Sequence, residues 1–289
     1  MRLASLVSIS AMTVFLNVSV AGAAAPEIPP ASRSPRPANL MDLSLEQLMD
    51  IQVLTVVTAS KHEQKLTQAP AQASVVTADD IRKYGYRTLA DILRSVPGCY
   101  VTYDHAYGFI GVRGFGRPGD FGGRILLLLD GHRLNDPLYD TAAVATDFIL
   151  DVDLIDRVEI VRGPGSALYG NNAFFAVINV ITKRAEPTGN GEASAEAGSY
   201  DTYKGRLTYS ARLSNGTEVV ASISGVSSRG NPRLFYPDFD SPETGNGVVH
   251  DGDGDASQSV FVSVRQGGLT VEAACIGRDK HDPSPKYGS

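Results

Sequence analysis

The sequence predicts an α+β globular domain followed by antiparallel transmembrane β-strands that form an incomplete barrel. The first part has glycine-rich turns between short, mixed elements, and the pattern changes near residue 190. From Tyr203 to Leu213 the odd positions carry Tyr, Gly, Leu, Tyr, Ala and Leu, whereas the even positions carry Lys, Arg, Thr, Ser and Arg. Such alternation over roughly 9–11 residues is typical of a strand with one face in lipid.

The N-terminal segment, residues 1–25, is predicted to be an export signal. Arg2 is the only charged residue before the apolar run from Leu3 to Val20, and small residues follow at 21–25. These features match a signal peptide with a small-residue cleavage site. A transmembrane anchor helix is the weaker alternative, because serines and Asn17 interrupt the apolar run.

Residues 26–65 are predicted to be a disordered leader, since their first part is rich in Pro, Ala, Ser and Arg. Within this leader, residues 51–59 (IQVLTVVTA) are apolar and β-branched, which favours an extended conformation. Two interpretations stay open. The segment is either the first strand of the next domain or a strand offered to a partner by β-augmentation.

The globular domain is placed at residues 66–186. Thr77 with Asp80 and Thr88 with Asp91 have the spacing of helix N-terminal capping pairs, which predicts one helix over Ala78–Tyr84 and a second opening at Thr88. Short strands are predicted at 74–76, 99–103, 108–112, 125–129, 158–162 and 177–182. A domain of this size can bury its own core.

The barrel segment is placed at residues 190–289, with predicted strands at 192–199, 203–213, 217–226, 257–265 and 269–278. Asn215-Gly216 and the residues around Gly267 are tight-turn signals, whereas residues 227–256 form a long connection. Short turns at one end and long loops at the other are typical of outer-membrane barrels. A soluble β-sandwich is the alternative.

Composition and motifs exclude several function classes. The net charge is −6, and loss of Arg2 with the signal would make it −7, so no basic footprint for nucleic acid is present. The five histidines are scattered, and the sequence contains neither H-E-x-x-H nor G-x-S-x-G. Cys99 and Cys275 are expected to be free thiols. The protein is therefore predicted not to be an enzyme and to require no cofactor.

Six sequence pieces, in order, carry a resemblance to a known family. They are 91–98 (DILRSVPG), 112–116 (VRGFG), 127–131 (LLLDG), 155–164 (IDRVEIVRGP), 168–170 (LYG) and 177–183 (VINVITK). Together they resemble the TonB-dependent outer-membrane receptors, in which a plug domain fills a barrel of about 22 strands. The resemblance identifies residues 66–186 as the plug.

The resemblance implies a function and a location. It implies active import of a scarce solute such as an iron chelate (siderophore), haem or cobalamin across the outer membrane, with the barrel in outer-membrane lipid. It also implies that TonB, with its inner-membrane energising complex, pulls the plug. Five strands cannot close such a barrel, so the chain is expected to be the N-terminal piece of a longer receptor. The alternative is a truncated remnant, or a soluble periplasmic plug that only binds ligand or TonB.

The resemblance also assigns roles to residues. It implies that TonB binds Leu54, Thr55, Val56, Val57, Thr58 and Ala59. It implies that Arg113 and Arg162 lock the plug to barrel glutamates, although solvation, or pairing with Glu159 or Asp156 within the plug, remains open. Outward plug tips that face ligand are expected at Tyr103, Tyr107, Phe115, Arg117 and Phe121. Asp251, Asp253 and Asp255 could supply oxygens to Ca²⁺, with a plain solvated loop as the alternative.

Overall fold

The computed structural model describes residues 7–20, 55–56, 58, 64–65, 72–117, 119–186 and 189–284. Its helices are α1 (Ala78–Tyr84), α2 (Leu89–Arg94) and α3 (Ser166–Tyr169). Its strands are β1 (Val7–Val20), β2 (Thr55–Val56), β3 (Gln64–Lys65), β4 (Gln72–Thr77), β5 (Cys99–Tyr103), β6 (Gly108–Val112), β7 (Ile125–Leu129), β8 (His132–Arg133), β9 (Ile155–Arg162), β10 (Ala176–Thr182), β11 (Asn190–Gly198), β12 (Thr202–Arg212), β13 (Glu218–Ser228), β14 (Arg233–Phe235), β15 (Val248–His250), β16 (Asp255–Gln266) and β17 (Leu269–Asp282).

The plug is built on a five-stranded sheet in the order β4-β9-β10-β7-β8. Strands β7 and β10 run parallel, whereas β9 pairs antiparallel with both β4 and β10. All residues of β7 and β10 are buried, as expected for strands that are covered on both faces. The hairpin β5–β6 packs beside this sheet, and the core includes Leu89, Ile92 and Leu93 of α2.

The capping predictions for the two longer plug helices are confirmed. The Thr77 hydroxyl accepts the Asp80 N–H, and the Asp80 carboxylate accepts the Thr77 N–H in return. Thr88 and Asp91 form the same reciprocal box at the start of α2. Helix α1 ends at Gly85, whose φ of 67° closes the helix in the left-handed conformation. Each box satisfies N–H groups that a helix start leaves unpaired.

The second sheet has the order β1-β17-β16-β13-β12-β11, with every neighbouring pair antiparallel. We call its strands β11, β12, β13, β16 and β17 the wall. All five predicted strands are confirmed, with ends shifted by a few residues. Along β12, Tyr203, Leu207 and Tyr209 are exposed on one face while Lys204 and Arg206 point to the plug. The sheet is open, as in an incomplete barrel.

Strand β1 comes from the stretch predicted to be an export signal. It pairs with β17 along its whole length, from Val7 opposite Asp282 to Val20 opposite Leu269. A strand edge carries unpaired N–H and C=O groups, and this extended apolar segment satisfies those of β17. Met12 and Leu16 are exposed on the outer face, and Phe15 packs against the core. The export signal itself stays a prediction.

The long connection after β13 is more ordered than predicted, because β14 and β15 pair within it as a short hairpin. Most of residues 51–59 lies outside the described residues. In the described part of the chain, no helix has both the length and the apolar character needed to cross a membrane.

The plug and the wall share one hydrophobic core. Val220, Phe261, Ala274 and Ile276 of the wall are buried in the same cluster as the plug residues of α2, β7, β9 and β10. The wall strands therefore have an apolar outer face and a mixed inner face that holds the plug.

Candidate functional site

Residues 54–59, the predicted TonB-binding segment, are called the coupling segment below. In the described part of this segment, Thr58 is attached to the plug. Its main-chain N–H and its hydroxyl both donate to Glu159 Oε2, at 2.9 and 2.6 Å. Its carbonyl accepts a hydrogen bond of 2.8 Å from the Tyr169 hydroxyl. Thr58 is only 1% exposed. One residue of this segment is therefore held by three hydrogen bonds to the plug.

Glu159 and Tyr169, the two residues that bind Thr58, are called the Thr58 seat below. Glu159 lies in the middle of β9. Glu159 is fully buried, and its other oxygen, Oε1, accepts the Arg157 Nε–H at 3.0 Å. Arg157 also pairs with Asp156 at 2.9 Å. A buried carboxylate is costly unless it is paired and hydrogen-bonded, and here both oxygens are used. Burial and the nearby Glu159 charge raise the pKa of Tyr169 to about 12, so its hydroxyl remains a donor.

Of the remaining coupling residues, Thr55 and Val56 form β2, which pairs with β3. Leu54, Val57 and Ala59 lie outside the described residues. The assignment of residues 54–59 as the TonB-binding segment stays a prediction.

Glu159 contacts Arg157 and Thr58, and its pairing with Arg113 or Arg162 stays a prediction. Arg162 instead donates to the Pro97 carbonyl and, at 2.7 Å, to the Ser74 hydroxyl. It thereby ties the turn after α2 to strand β4.

Arg113 is exposed and donates to Gln72 Oε1 at 3.0 Å. Within the described ranges, neither Arg113 nor Arg162 forms an ion pair, whether with Asp156 or with any other acid. Their predicted pairing with barrel glutamates therefore stays a prediction.

The predicted tip at Tyr103 and Tyr107 lies near the end of the wall at which the long connection joins β16. The carbonyl of Ala106 accepts a hydrogen bond of 2.7 Å from Arg278, which also pairs with Asp255. The ring of Tyr107 lies 5.9 Å from that of Phe121. Tyr103 is 45% exposed, and partial burial together with the nearby Asp255 carboxylate raises its pKa.

The predicted tip residues do not form one cluster. Phe121 contacts the rings of Tyr107, Phe109 and Tyr139. Phe115 is 60% exposed but stacks on Phe175 at 5.2 Å, on a different aromatic group.

Arg117 is also exposed, in the segment that follows Phe115. The structure thus groups Tyr103, Tyr107 and Phe121 near one end of the wall and separates them from Phe115. Their role in ligand binding stays a prediction.

The three acidic residues proposed for Ca²⁺ are directed at different cations. Asp253 pairs with Lys280 at 2.7 Å, Asp255 with Arg278 at 2.9 Å, and Asp251 with Arg229 at 3.5 Å. No group of three metal-ligating side chains occurs among the residues that the structure describes. The carboxylates are therefore engaged in ion pairs in this conformation, and the calcium site stays a prediction.

Sequence reasoning missed the charged contacts between the plug and the wall. They involve the plug acids Asp130, Asp151 and Asp153 and the wall cations Lys204, Arg206 and Arg265. The alternation along β12 placed Lys204 and Arg206 on the inner face, but a pattern along one strand does not identify the partner. Burial raises the pKa of Asp153, but the charges of Lys204 and Arg206 outweigh it and lower that pKa.

Comparison with known proteins agrees with this architecture. Residues 65–177 match the family described as the TonB-dependent Receptor Plug Domain. The chain is 32% identical over 215 residues to the vitamin B12 transporter BtuB of Vibrio vulnificus, covering 73% of this chain and 32% of that protein. It is 35% identical over 140 residues to an iron-regulated outer membrane virulence protein of Vibrio cholerae, covering 47% of this chain and 21% of that protein. The chain thus spans a third or less of the length of these two curated relatives.

Solved structures show the same fold at lower identity. The Pseudomonas aeruginosa receptor FpvA, bound to a heterologous pyoverdine, matches with a TM-score of 0.60 and 20% identity over 79% of this chain and 28% of that one. The ferric yersiniabactin uptake receptor FyuA of Yersinia pestis matches with a TM-score of 0.54 and 21% identity over 72% of this chain and 32% of that one.

Proposed function

Because this chain belongs to the TonB-dependent receptors of the outer membrane, we propose that it serves TonB-driven import of a scarce solute of the siderophore, haem or cobalamin type. One relative is named as a vitamin B12 transporter and another as an iron-regulated outer membrane protein, which supports cobalamin and iron compounds as the solute classes of the proposal. No chemical change of the substrate is part of the proposal, and the protein acts as a transporter rather than an enzyme.

One observation carries the proposal: a plug packed on the inner face of membrane strands also holds a residue of the coupling segment. Thr58 donates two hydrogen bonds to Glu159 of β9, a strand of the plug's five-stranded sheet. Force applied to residues 51–59 would therefore reach β9 directly. Strand addition supplies affinity through main-chain hydrogen bonds, which an extended β-branched segment can provide. TonB binding at this segment is the step that couples energy to plug movement.

The test is uptake by cells that carry the protein with residues 54–59 deleted. Uptake of radiolabelled ferric siderophore or of cobalamin should be lost, while ligand binding to isolated outer membranes stays at the wild-type level. A deletion of equal length in the leader, residues 29–34, is the matched control and should transport normally. Unchanged uptake after deletion of residues 54–59 would contradict the coupling role.

The same assay addresses the substrate class. Uptake of an iron chelate without cobalamin, or the reverse, assigns the class. Wild-type binding without any uptake would instead favour a protein that only binds its ligand.

A further inference from the structure

The ion pairs between the plug and the wall share one polarity. Four contacts join acids of the plug to cations of the wall: Lys204 with Asp151 and Asp153, Arg206 with Asp153, and Arg265 with Asp130. In each contact the wall supplies the cation and the plug supplies the carboxylate. Among the described residues, His105 of the plug also lies 3.5 Å from Asp253, in the long connection that precedes β16, and it is charged only when protonated.

These contacts fall at two attachment points, of which the first, at Asp130, is largely buried. Arg265 Nη2 lies 3.2 Å from Asp130 Oδ2, 3.0 Å from the Thr182 hydroxyl and 2.7 Å from Glu272 Oε1. The side chains of Asp130 and Arg265 are 11% and 16% exposed, and that of Glu272 is fully buried. One guanidinium therefore joins the turn after β7 and strand β10 of the plug to strands β16 and β17 of the wall, and the side chains involved are largely buried.

Asp130 is also held in place by hydrogen bonds within the plug. It begins the Asp130-Gly131 turn between β7 and β8, with a φ of 47°. Its carboxylate accepts the Thr182 N–H at 2.9 Å and the Thr182 hydroxyl at 2.6 Å. Such preorganisation lowers the entropy lost when the ion pair with Arg265 forms.

The second attachment point is a short 3-10 turn, Val152–Leu154, flanked by Asp151. Lys204 Nζ lies 3.1 Å from Asp151 and 3.2 Å from Asp153, and the Lys204 side chain is only 10% exposed. Arg206 Nε lies 3.5 Å from Asp153 and its guanidinium also binds Glu192 of β11 at 2.6 Å. Two carboxylates thus meet two nearly buried cations.

We propose that the plug is retained by acids of its own, Asp130 with Asp151 and Asp153, bound to cations on the inner face of β12 and β16. This polarity is opposite to that of a plug arginine paired with a barrel glutamate. A buried ion pair that loses one partner leaves an uncompensated charge, which makes these contacts costly to break. Asp130 and Asp153 are positioning residues, because their ion pairs with the wall fix where the plug lies.

The first experiment removes the charge of Asp130 and measures release of the plug. Asp130→Asn in the full chain, reconstituted in outer-membrane lipid, should increase the rate of tryptic cleavage within the plug about tenfold, since a hydrogen bond to a charged group is worth roughly that factor. The matched control is Asp120→Asn, because Asp120 pairs with Arg124 inside the plug. The control should be cleaved at the wild-type rate. Wild-type cleavage of Asp130→Asn would overturn the proposal, as would an equal acceleration by Asp120→Asn.

A double-mutant cycle separates attachment from plug stability. Asp153→Asn and Lys204→Met change groups on different domains, so a merely structural role for either residue predicts additive effects on the cleavage rate. The proposal predicts that the combined effect is smaller than the sum of the two single effects, while Lys204→Met also removes the cation that pairs with Asp151. Additive effects would overturn it.

Discussion

Thr58 and Glu159 are 101 residues apart in sequence, yet two donors of Thr58 converge on the single oxygen Oε2 of Glu159. Because the Thr58 N–H is engaged by Glu159, it is not available to pair with another strand at the same time. Strand addition through this N–H therefore requires its release from Glu159. The strength of the hydrogen bonds between Thr58 and the plug should influence how readily the segment becomes available to pair with a partner strand.

Glu159→Gln should loosen the segment while keeping the shape of the side chain. The charge-assisted bonds to Thr58 and the pair with Arg157 would be weakened, at a cost of about 1.5–3 kcal/mol. Tyr169→Phe removes one bond to the Thr58 carbonyl and should cost less, about 0.5–1.5 kcal/mol. The measurement is the rate of tryptic cleavage at Lys61 and Lys65, which should rise in both variants and more in Glu159→Gln.

Asp156→Asn is the control for this prediction, because Asp156 pairs with Arg157 on the same strand but has no contact with Thr58 among those described. Its cleavage rate should stay near the wild-type rate. If Glu159→Gln is cleaved no faster than Asp156→Asn, the seat does not hold the segment in solution.

Acid should weaken the attachment of the plug at Asp153. The charges of Lys204 and Arg206 lower the pKa of Asp153 below its ordinary value of 3.8 despite partial burial. A carboxyl whose folded pKa is lowered contributes stability above its unfolded pKa and loses it as the pH falls through the folded pKa. The contribution should thus be complete near neutral pH and should disappear progressively below pH 3.8.

The measurement for the pH prediction is plug cleavage by pepsin, after brief incubation at decreasing pH, in the wild type and in Asp153→Asn. The variant should lack the part of the acid response that Asp153 causes. Asp79→Asn, with a carboxyl that is 84% exposed, is the control. An Asp153→Asn curve that matches the wild type throughout would contradict the assignment.

Local sequence patterns predicted the elements of this fold well, whereas the contacts between elements could not be read from them. The Thr88–Asp91 spacing identified the start of α2 because capping depends on neighbouring residues. The alternation along β12 identified its two faces for the same reason. Thr58, a partner of Glu159, lies 101 residues away in contrast, beyond the reach of any local pattern along β9.

Strand β1 shows a second limit of sequence reasoning. An apolar run between small residues matches a signal peptide, but the pairing of Val7–Val20 with β17 depends on an edge that exists only after the sheet has formed. Likewise, Arg265 and Asp130 are 135 residues apart, and nothing in either local pattern links them.

Gly111→Ala should destabilise the plug through a steric clash in the β5–β6 hairpin. A Cβ at Gly111 would lie 2.2 Å from Cζ of Tyr100, which must then move and lose its 2.7 Å hydrogen bond to the Gly116 carbonyl. Overpacking of this kind costs about 1–3 kcal/mol. Urea unfolding followed by tyrosine fluorescence should show the lower midpoint.

Gly205→Ala is the matched control, since a Cβ at Gly205 on β12 meets nothing within 4 Å. It should leave the urea midpoint within the error of the wild type. Equal midpoints for Gly111→Ala and the wild type would mean that Tyr100 occupies another position in solution.

Calcium should have little effect on the stability of the long connection. Asp251, Asp253 and Asp255 each pair with a different cation, so Ca²⁺ would have to displace Arg229, Lys280 and Arg278 before it could bind all three. The midpoint temperature of thermal unfolding should therefore be the same in a calcium chelator and in excess Ca²⁺. A rise of several degrees with Ca²⁺ that disappears in a variant with all three aspartates changed to asparagine would instead establish the calcium site and show that the ion pairs rearrange.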